Sequence, residues 1–342
     1  MAKERVEWID VLRGFLMFFV IWGHDSITPE IDQYIYSFHM PAYFIISGMV
    51  STFSKETRLL PFIKKKAIGL LIPYVVLNLY VIPLWYLSTV IGMNEPHTIP
   101  EVLLGILLSN RLSGYPMPSN TTWFITCLFL TELLFFVVKK LTRQDRFLVP
   151  ALIAIWVIFY FTVGSVHAGG GLWHIESAFT AVLFYLAGYL FMKHYKKIHE
   201  LLSGHPFRNT WILIVLFLLG FTACFFNGRV SMIGDIYCNV PLFFISALST
   251  AFAVTLCFML ASTRPRFSRS MHIFDRIGKA TLPYIAFQTV LIKLMLYYIP
   301  LFHIRTEPMR LLLSAILFFA FLPAAEGILH LIPLHGKRKR KS

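Results

Sequence analysis

Residues 7–25 read Glu7-Trp8-Ile9-Asp10-Val11-Leu12-Arg13-Gly14-Phe15-Leu16-Met17-Phe18-Phe19-Val20-Ile21-Trp22-Gly23-His24-Asp25. Between Val11 and Trp22 only Arg13 is charged, so the stretch reads as a membrane-spanning helix that carries a cation inside and an imidazole at its end. An ionisable side chain at membrane depth is costly and is a functional-site hypothesis by default. Arg13 and His24 are eleven residues apart, which is about three full turns, so both lie on one helix face about 16 Å apart along the axis. A cation and a titratable ring on one stripe predict a single polar track.

The rest of the chain repeats the apolar theme. Of its 342 residues 57% are hydrophobic, 33 are Phe and only 14% are charged, where a soluble domain carries nearer a quarter charged residues. The apolar runs recur from end to end without the ten-residue alternation of a membrane β-barrel. The fold class is therefore all-α: a polytopic transmembrane helix bundle of about ten helices, forming one domain over 1–342 with a basic tail at 333–342. The expected spans are 6–24, 36–53, 67–91, 122–139, 147–163, 175–192, 209–226, 240–261, 277–299 and 309–332. Segment 101–108 is too short to cross and is expected to be interfacial or re-entrant. Arg13 interrupts the first apolar run and no small-residue cleavage site follows, so it does not read as a removable signal peptide.

Charge placement sets orientation. Lys and Arg cluster at the N-terminus (Lys3, Arg5), after every second span, and in the tail (Lys337 to Lys341), 24 residues in all, whereas the alternate loops hold only Arg111, Arg229 and Arg305. The positive-inside rule then places both termini in the cytoplasm. The formal net charge of +14 needs no nucleic acid to explain it, and the tail is expected to act in topology or against lipid headgroups. The four cysteines (Cys127, Cys224, Cys238, Cys257) show no metal-ligand or redox spacing, so no metal site is expected. In this orientation His24, Asp25, His39, Asn120, Trp123, Trp173, His174, Glu176, Arg229, Asp235 and Asn239 gather at outer ends, where they predict a polar cluster.

The block from Glu7 to Gly14, with its Asp10-x-x-Arg13-Gly14, is followed by His24 and then by Tyr36-Ser37-Phe38-His39-Met40-Pro41, ending in Ser47-Gly48. In these features the chain resembles the integral-membrane acyltransferase three family, which includes O-antigen acetylases and fucose 4-O-acetylase-like proteins. Weaker matches are Trp123-Phe124, Asn227-Gly228-Arg229-Val230 and Ile277-Gly278-Lys279. The resemblance implies transfer of an acyl group, usually acetyl from acetyl-CoA, to a hydroxyl of a cell-surface or lipid-linked glycan in a bacterial inner membrane. Many family members carry a His near the position of Gln288, and this chain does not.

The chemistry makes independent sense. A sugar hydroxyl is a poor nucleophile until a base takes its proton, and His24 is the side chain best poised for that; an acyl-histidine intermediate is the alternative. Arg13 suits the phosphates or pantetheine arm of acyl-CoA, with Asp10 three residues earlier orienting it, or pairing with it for helix packing alone. His39 is expected to orient His24 or touch the acceptor, Asp25 to raise imidazole basicity, Trp123 to stack on a sugar, and Arg229 to grip an anionic glycan or lipid diphosphate. Ser47-Gly48 reads as close helix packing, and Asn78, Glu132, Gln288 and Glu326 as interhelical glue. The partners expected are acyl-CoA, glycan and membrane lipid. A second function fits the same polar track: export of a polysaccharide, although neither a nucleotide-binding motif nor a repeat between halves supports it.

Overall fold

The computed structural model describes residues 6–25, 28–110, 113–164, 170–298 and 307–333. Lys3, Arg5, Arg111, Arg305 and the basic tail lie outside the described residues. The helices are α1 (Glu7–Trp22), α2 (Pro29–Ser51), α3 (Leu59–Lys66), α4 (Ile72–Val90), α5 (Ile99–Leu108), α6 (Trp123–Thr142), α7 (Asp145–Phe159) and α8 (Ile175–Lys193). They continue with α9 (Tyr195–Leu202), α10 (Pro206–Asn227), α11 (Val240–Ala261), α12 (Phe267–Ser270), α13 (His272–Lys279), α14 (Thr281–Tyr298), α15 (Glu307–Ala320) and α16 (Leu322–Leu331). Among the described residues there is no strand, only an isolated bridge between Ser231 and Ile236.

Among the described residues six helical stretches are long and apolar enough to cross a membrane, and up to eight if the bent pairs α13–α14 and α15–α16 each count as one span. The ten expected from sequence exceed this by two, and the two stretches not in this set are α1 and α2. The physical reason is their place in the bundle. α1 has only 16 residues, and α2 dilutes its apolar content with Ser37, His39, Ser47 and Ser51. Both are encased by other helices, so neither must match the lipid. The periphery shows the opposite: the apolar windows of Asp145–Thr162 and Pro206–Asn227 are only 11% and 22% buried. Their exposed Ile158, Phe161, Leu218 and Phe225 face outward, as expected where lipid replaces core. Helix α5 is short and apolar, in line with the reading of 101–108 as non-spanning.

Where α1 and α2 meet their neighbours, small residues set the spacing. A Cβ on Gly48 would lie 1.9 Å from the Tyr185 carbonyl oxygen, and one on Gly188 would lie 1.8 Å from that of Ile45. Helices α2 and α8 therefore touch backbone to backbone, as Ser47-Gly48 led us to expect. Gly14 and Gly278 do the same for α1 and α13, against the carbonyls of Phe274 and Asp10.

Polar residues inside the bundle find partners across helices. Lys66 pairs with Glu132 at 2.7 Å. Arg276 grips Glu326 through two bonds of 2.8 and 2.5 Å. Asn78, fully buried, donates to Thr122 at 3.0 Å and accepts from the Ser119 amide at 3.4 Å. That fastens the turn before α6 to α4. The expectation of interhelical glue thus holds for Asn78, Glu132 and Glu326. Gln288 behaves differently: it is buried, and among the described residues both side-chain amide atoms lack a partner.

Candidate functional site

Gln288 faces a cavity of about 280 Å³ between the end of α1, the middle of α2, the start of α6 and the first half of α14. Each wall has a local cause. The last turn of α1 relaxes at Gly23, and the His24 amide bonds back to the Ile21 carbonyl at 3.0 Å, which brings His24 into the cavity wall. The first half of α2 supplies Tyr36, His39, Met40 and Tyr43, a helical i, i+3, i+4, i+7 stripe. The turn held by Asn78 supplies Asn120, Thr121, Trp123 and Phe124.

The fourth wall is the loop from Gly228 to Asn239. Gly228 (φ 88°) ends α10, and Asp235 and Cys238 take left-handed backbone at φ 52° and 54°. The neck is closed by the Asn239 amide donating to the Asn227 side chain at 2.8 Å, while Asn239 caps α11 through the Leu242 amide at 3.1 Å. Ser177 donates to the Met232 carbonyl at 2.8 Å and presses the loop inward. Arg229, Ser231, Met232 and Ile233 thereby line the cavity.

The two imidazoles flank Tyr36, with ring centroids 6.3 Å from it for His24 and 5.1 Å for His39. His39 is buried, and its Nδ1 lies 2.6 Å from the Ile35 carbonyl oxygen. A carbonyl can only accept, so Nδ1 carries the proton and the neutral ring keeps its lone pair on Nε2. Arg229 lies over the Tyr36 ring, its guanidinium carbon 4.3 Å from the centroid, and is ion-paired with Asp32. The hydrogen bond and charge of Asp32 hold the guanidinium above its ordinary range. Trp123 packs edge-on to buried His174 at 5.4 Å. Trp173 and His174 both adopt left-handed backbone, at φ 57° and 55°, a local strain of the kind concentrated at functional sites.

The structure thus brings His24, His39, Trp123 and Arg229 to one cavity. It does not bring Asp25 there: that carboxylate is fully buried and accepts a hydrogen bond from Ser314 of α15. Arg13 and Asp10 form an ion pair at 3.4 Å, and neither lines the cavity. Arg13 is tied to it indirectly, through its backbone carbonyl, which accepts from the cavity-lining Tyr43 hydroxyl at 2.7 Å. Glu176 abuts Gly171 and is also outside the cavity. Among the described residues no three His, Cys, Asp or Glu side chains gather as metal ligands.

At the other ends of α2 and α6 a second cavity of about 320 Å³ is lined by Lys55, Lys66, Lys139 and Lys140 with Glu56, Glu132 and Tyr185. Counting along α6 from Trp123 to Phe135, which line the two cavities, the separation is about 18 Å of helix rise.

The sequence profile of the acyltransferase-3 family, described as an acyltransferase domain, matches residues 6–325. No curated protein and no solved structure matches the chain.

Proposed function

The chain belongs to the acyltransferase-3 family, and from that premise we propose that it is a membrane O-acyltransferase. It moves an acyl group, acetyl in the simplest case, from acyl-CoA to a hydroxyl of a cell-surface or lipid-linked glycan. The observation that carries this reading is the cavity itself, which sets two imidazoles, a tryptophan and an unpartnered amide into one recess of an apolar bundle. His24 takes the proton from the acceptor hydroxyl as its oxygen attacks the thioester carbonyl; the C–S bond breaks, the thiolate leaves and takes up a proton, and the products are an ester and free CoA thiol. The lysine-lined cavity and Arg13 suit the donor's phosphates, and the helix rise between the two cavities is about what an extended pantetheine arm spans. In this reading the donor enters from the cytoplasm and the acceptor from the opposite face of a bacterial inner membrane.

One observation favours a second choice of base. The Ile35 carbonyl fixes His39 in the tautomer whose Nε2 can accept a proton, whereas among the described residues no such bond orients His24.

The test uses the source strain lacking its own copy, complemented at matched membrane levels with wild type, His24→Ala or His39→Ala. Ester-linked acyl groups on surface glycan are quantified by NMR before and after mild alkali. Wild type restores alkali-labile esters, and the variant lacking the base does not, at equal total glycan. Equal esters in all strains with less surface glycan in the variants would overturn the proposal in favour of export.

A further inference from the structure

A third cavity, of about 430 Å³, adjoins the first: Asn120 lines both, and successive positions of α14 divide between them, Gln288 facing one and Thr289 and Lys293 the other. Its walls come from the end of α4, the segment after it and the segment after α5, with Trp85 and Tyr115 among them. Lys293 sits in an otherwise uncharged helix and is half-buried.

The partners of Lys293 set it apart. Arg13, Lys66, Arg229, Arg276 and Lys279 each reach a carboxylate. Lys293 reaches the side-chain oxygen of Asn94 at 2.8 Å; no carboxylate lies within ion-pair distance of it among the described residues. Asn94 is itself steadied by Ser88, at 2.5 Å. Of the other ionisable groups in the cavity, Glu95 is exposed and His97 is turned to Glu101 at 3.6 Å. A half-buried ammonium held by one neutral acceptor retains most of its unmet charge. A ligand oxyanion is the group that would meet it, and the flanking aromatics suit the apolar faces of a sugar.

We propose that this cavity is an acceptor subsite in which Lys293 binds an oxyanion one unit away from the hydroxyl that is acylated. The assignment rests on the acyl-transfer reading for its geometry, since the subsite shares a wall with the histidine cavity. It makes the acceptor an anionic glycan: a sugar carboxylate or the diphosphate of a lipid carrier. Arg229, already neutralised by Asp32, leaves this task to Lys293.

Full-length protein in nanodiscs is titrated with methyl β-D-glucuronide, methyl β-D-glucoside and farnesyl diphosphate, each followed by tryptophan fluorescence. One anion binds about tenfold more tightly than the neutral glucoside, as expected of a charge-assisted hydrogen bond in a half-buried site. The preference is lost in Lys293→Gln and kept in Lys293→Arg. Preference for the glucuronide places the charge on a sugar, and preference for the diphosphate places it on the carrier. If wild type binds neither anion more tightly than the glucoside, or if Lys293→Gln keeps the preference, the proposal is overturned. Binding is read without acyl-CoA and so apart from turnover: a chain that discriminates between these probes but releases no CoA thiol when acyl-CoA and a glycan acceptor are added would sink acyl transfer and leave the oxyanion site standing.

Discussion

The hydroxyl of Tyr43 donates to the backbone carbonyl of Arg13 at 2.7 Å, so a side chain of the histidine cavity is fastened to the turn of α1 that carries a part-buried cation. This bond fixes the sliding register of α1 against α2. Tyr43→Phe removes it without changing shape and lowers thermal stability by about 1 kcal/mol. Acyl transfer falls by more than this loss of folded protein, because the misplaced turn shifts His24 relative to the donor. Melting curves in detergent and CoA-thiol release from the same preparations check the two effects separately.

Removing the base is a different perturbation. A general base contributes roughly 10²–10⁴-fold, so the alanine variant at the operative histidine loses that much turnover at unchanged expression. The sign of the pH dependence follows: only the neutral imidazole accepts a proton, so wild-type activity falls as acid protonates the ring and levels off above its titration. A pH–rate profile without an acidic limb would remove both histidines from the role of base.

Backbone contact leaves no room for growth. Gly48→Ala places a methyl group 1.9 Å from the Tyr185 carbonyl oxygen, so α2 and α8 must separate, at about 1–3 kcal/mol. Gly69→Ala, whose Cβ would meet nothing within 4 Å, is near neutral. Comparing the two melting temperatures tests whether close packing rather than flexibility explains Gly48.

Lys66 and Glu132 close the lysine-lined cavity with a bond of 2.7 Å. Glu132→Gln leaves the ammonium with a neutral partner and destabilises by about 1–3 kcal/mol, whereas the double change to Lys66→Met and Glu132→Leu recovers much of the loss. A double-mutant cycle on unfolding gives the coupling directly.

Asp32→Asn frees Arg229 from its ion pair. Because half of the Arg229 side chain is exposed, 54%, the stability change stays within about 1 kcal/mol. The effect of the change is read instead in acceptor affinity: the guanidinium over Tyr36 gains freedom, and the KM for glycan shifts while kcat holds.

Much of this was legible in one dimension. Arg13 and His24 stand out because a charge and an imidazole interrupt or end an apolar run, and Ser47-Gly48 announces close packing because small residues do so wherever helices touch. What pairs across the chain was not legible. Asp25 sits next to His24 in sequence yet is spent on Ser314, 289 residues away. Arg229 reads as a free outer cation but is matched to Asp32, 197 residues earlier. Gln288 reads as helix glue because nothing in sequence tells a satisfied amide from an orphaned one. Lys293 is one Lys among many until the structure shows that its neighbour is an amide. The two helices that supply His24 and His39 to the cavity were read as spans like the rest, and hydropathy does not reveal how far a helix is enclosed by others.

The shortness of α1 has its own consequence. Its 16 residues rise about 24 Å, less than the roughly 30 Å of a bilayer's hydrocarbon core. Since protein rather than lipid surrounds it, the missing turn need not be made of anything greasy. The cavity with His24 and His39 in its wall lies at that end. The outer ring of α7 and α10 answers to the thickness of the bilayer, leaving the interior free to set the depth of its reaction on its own scale.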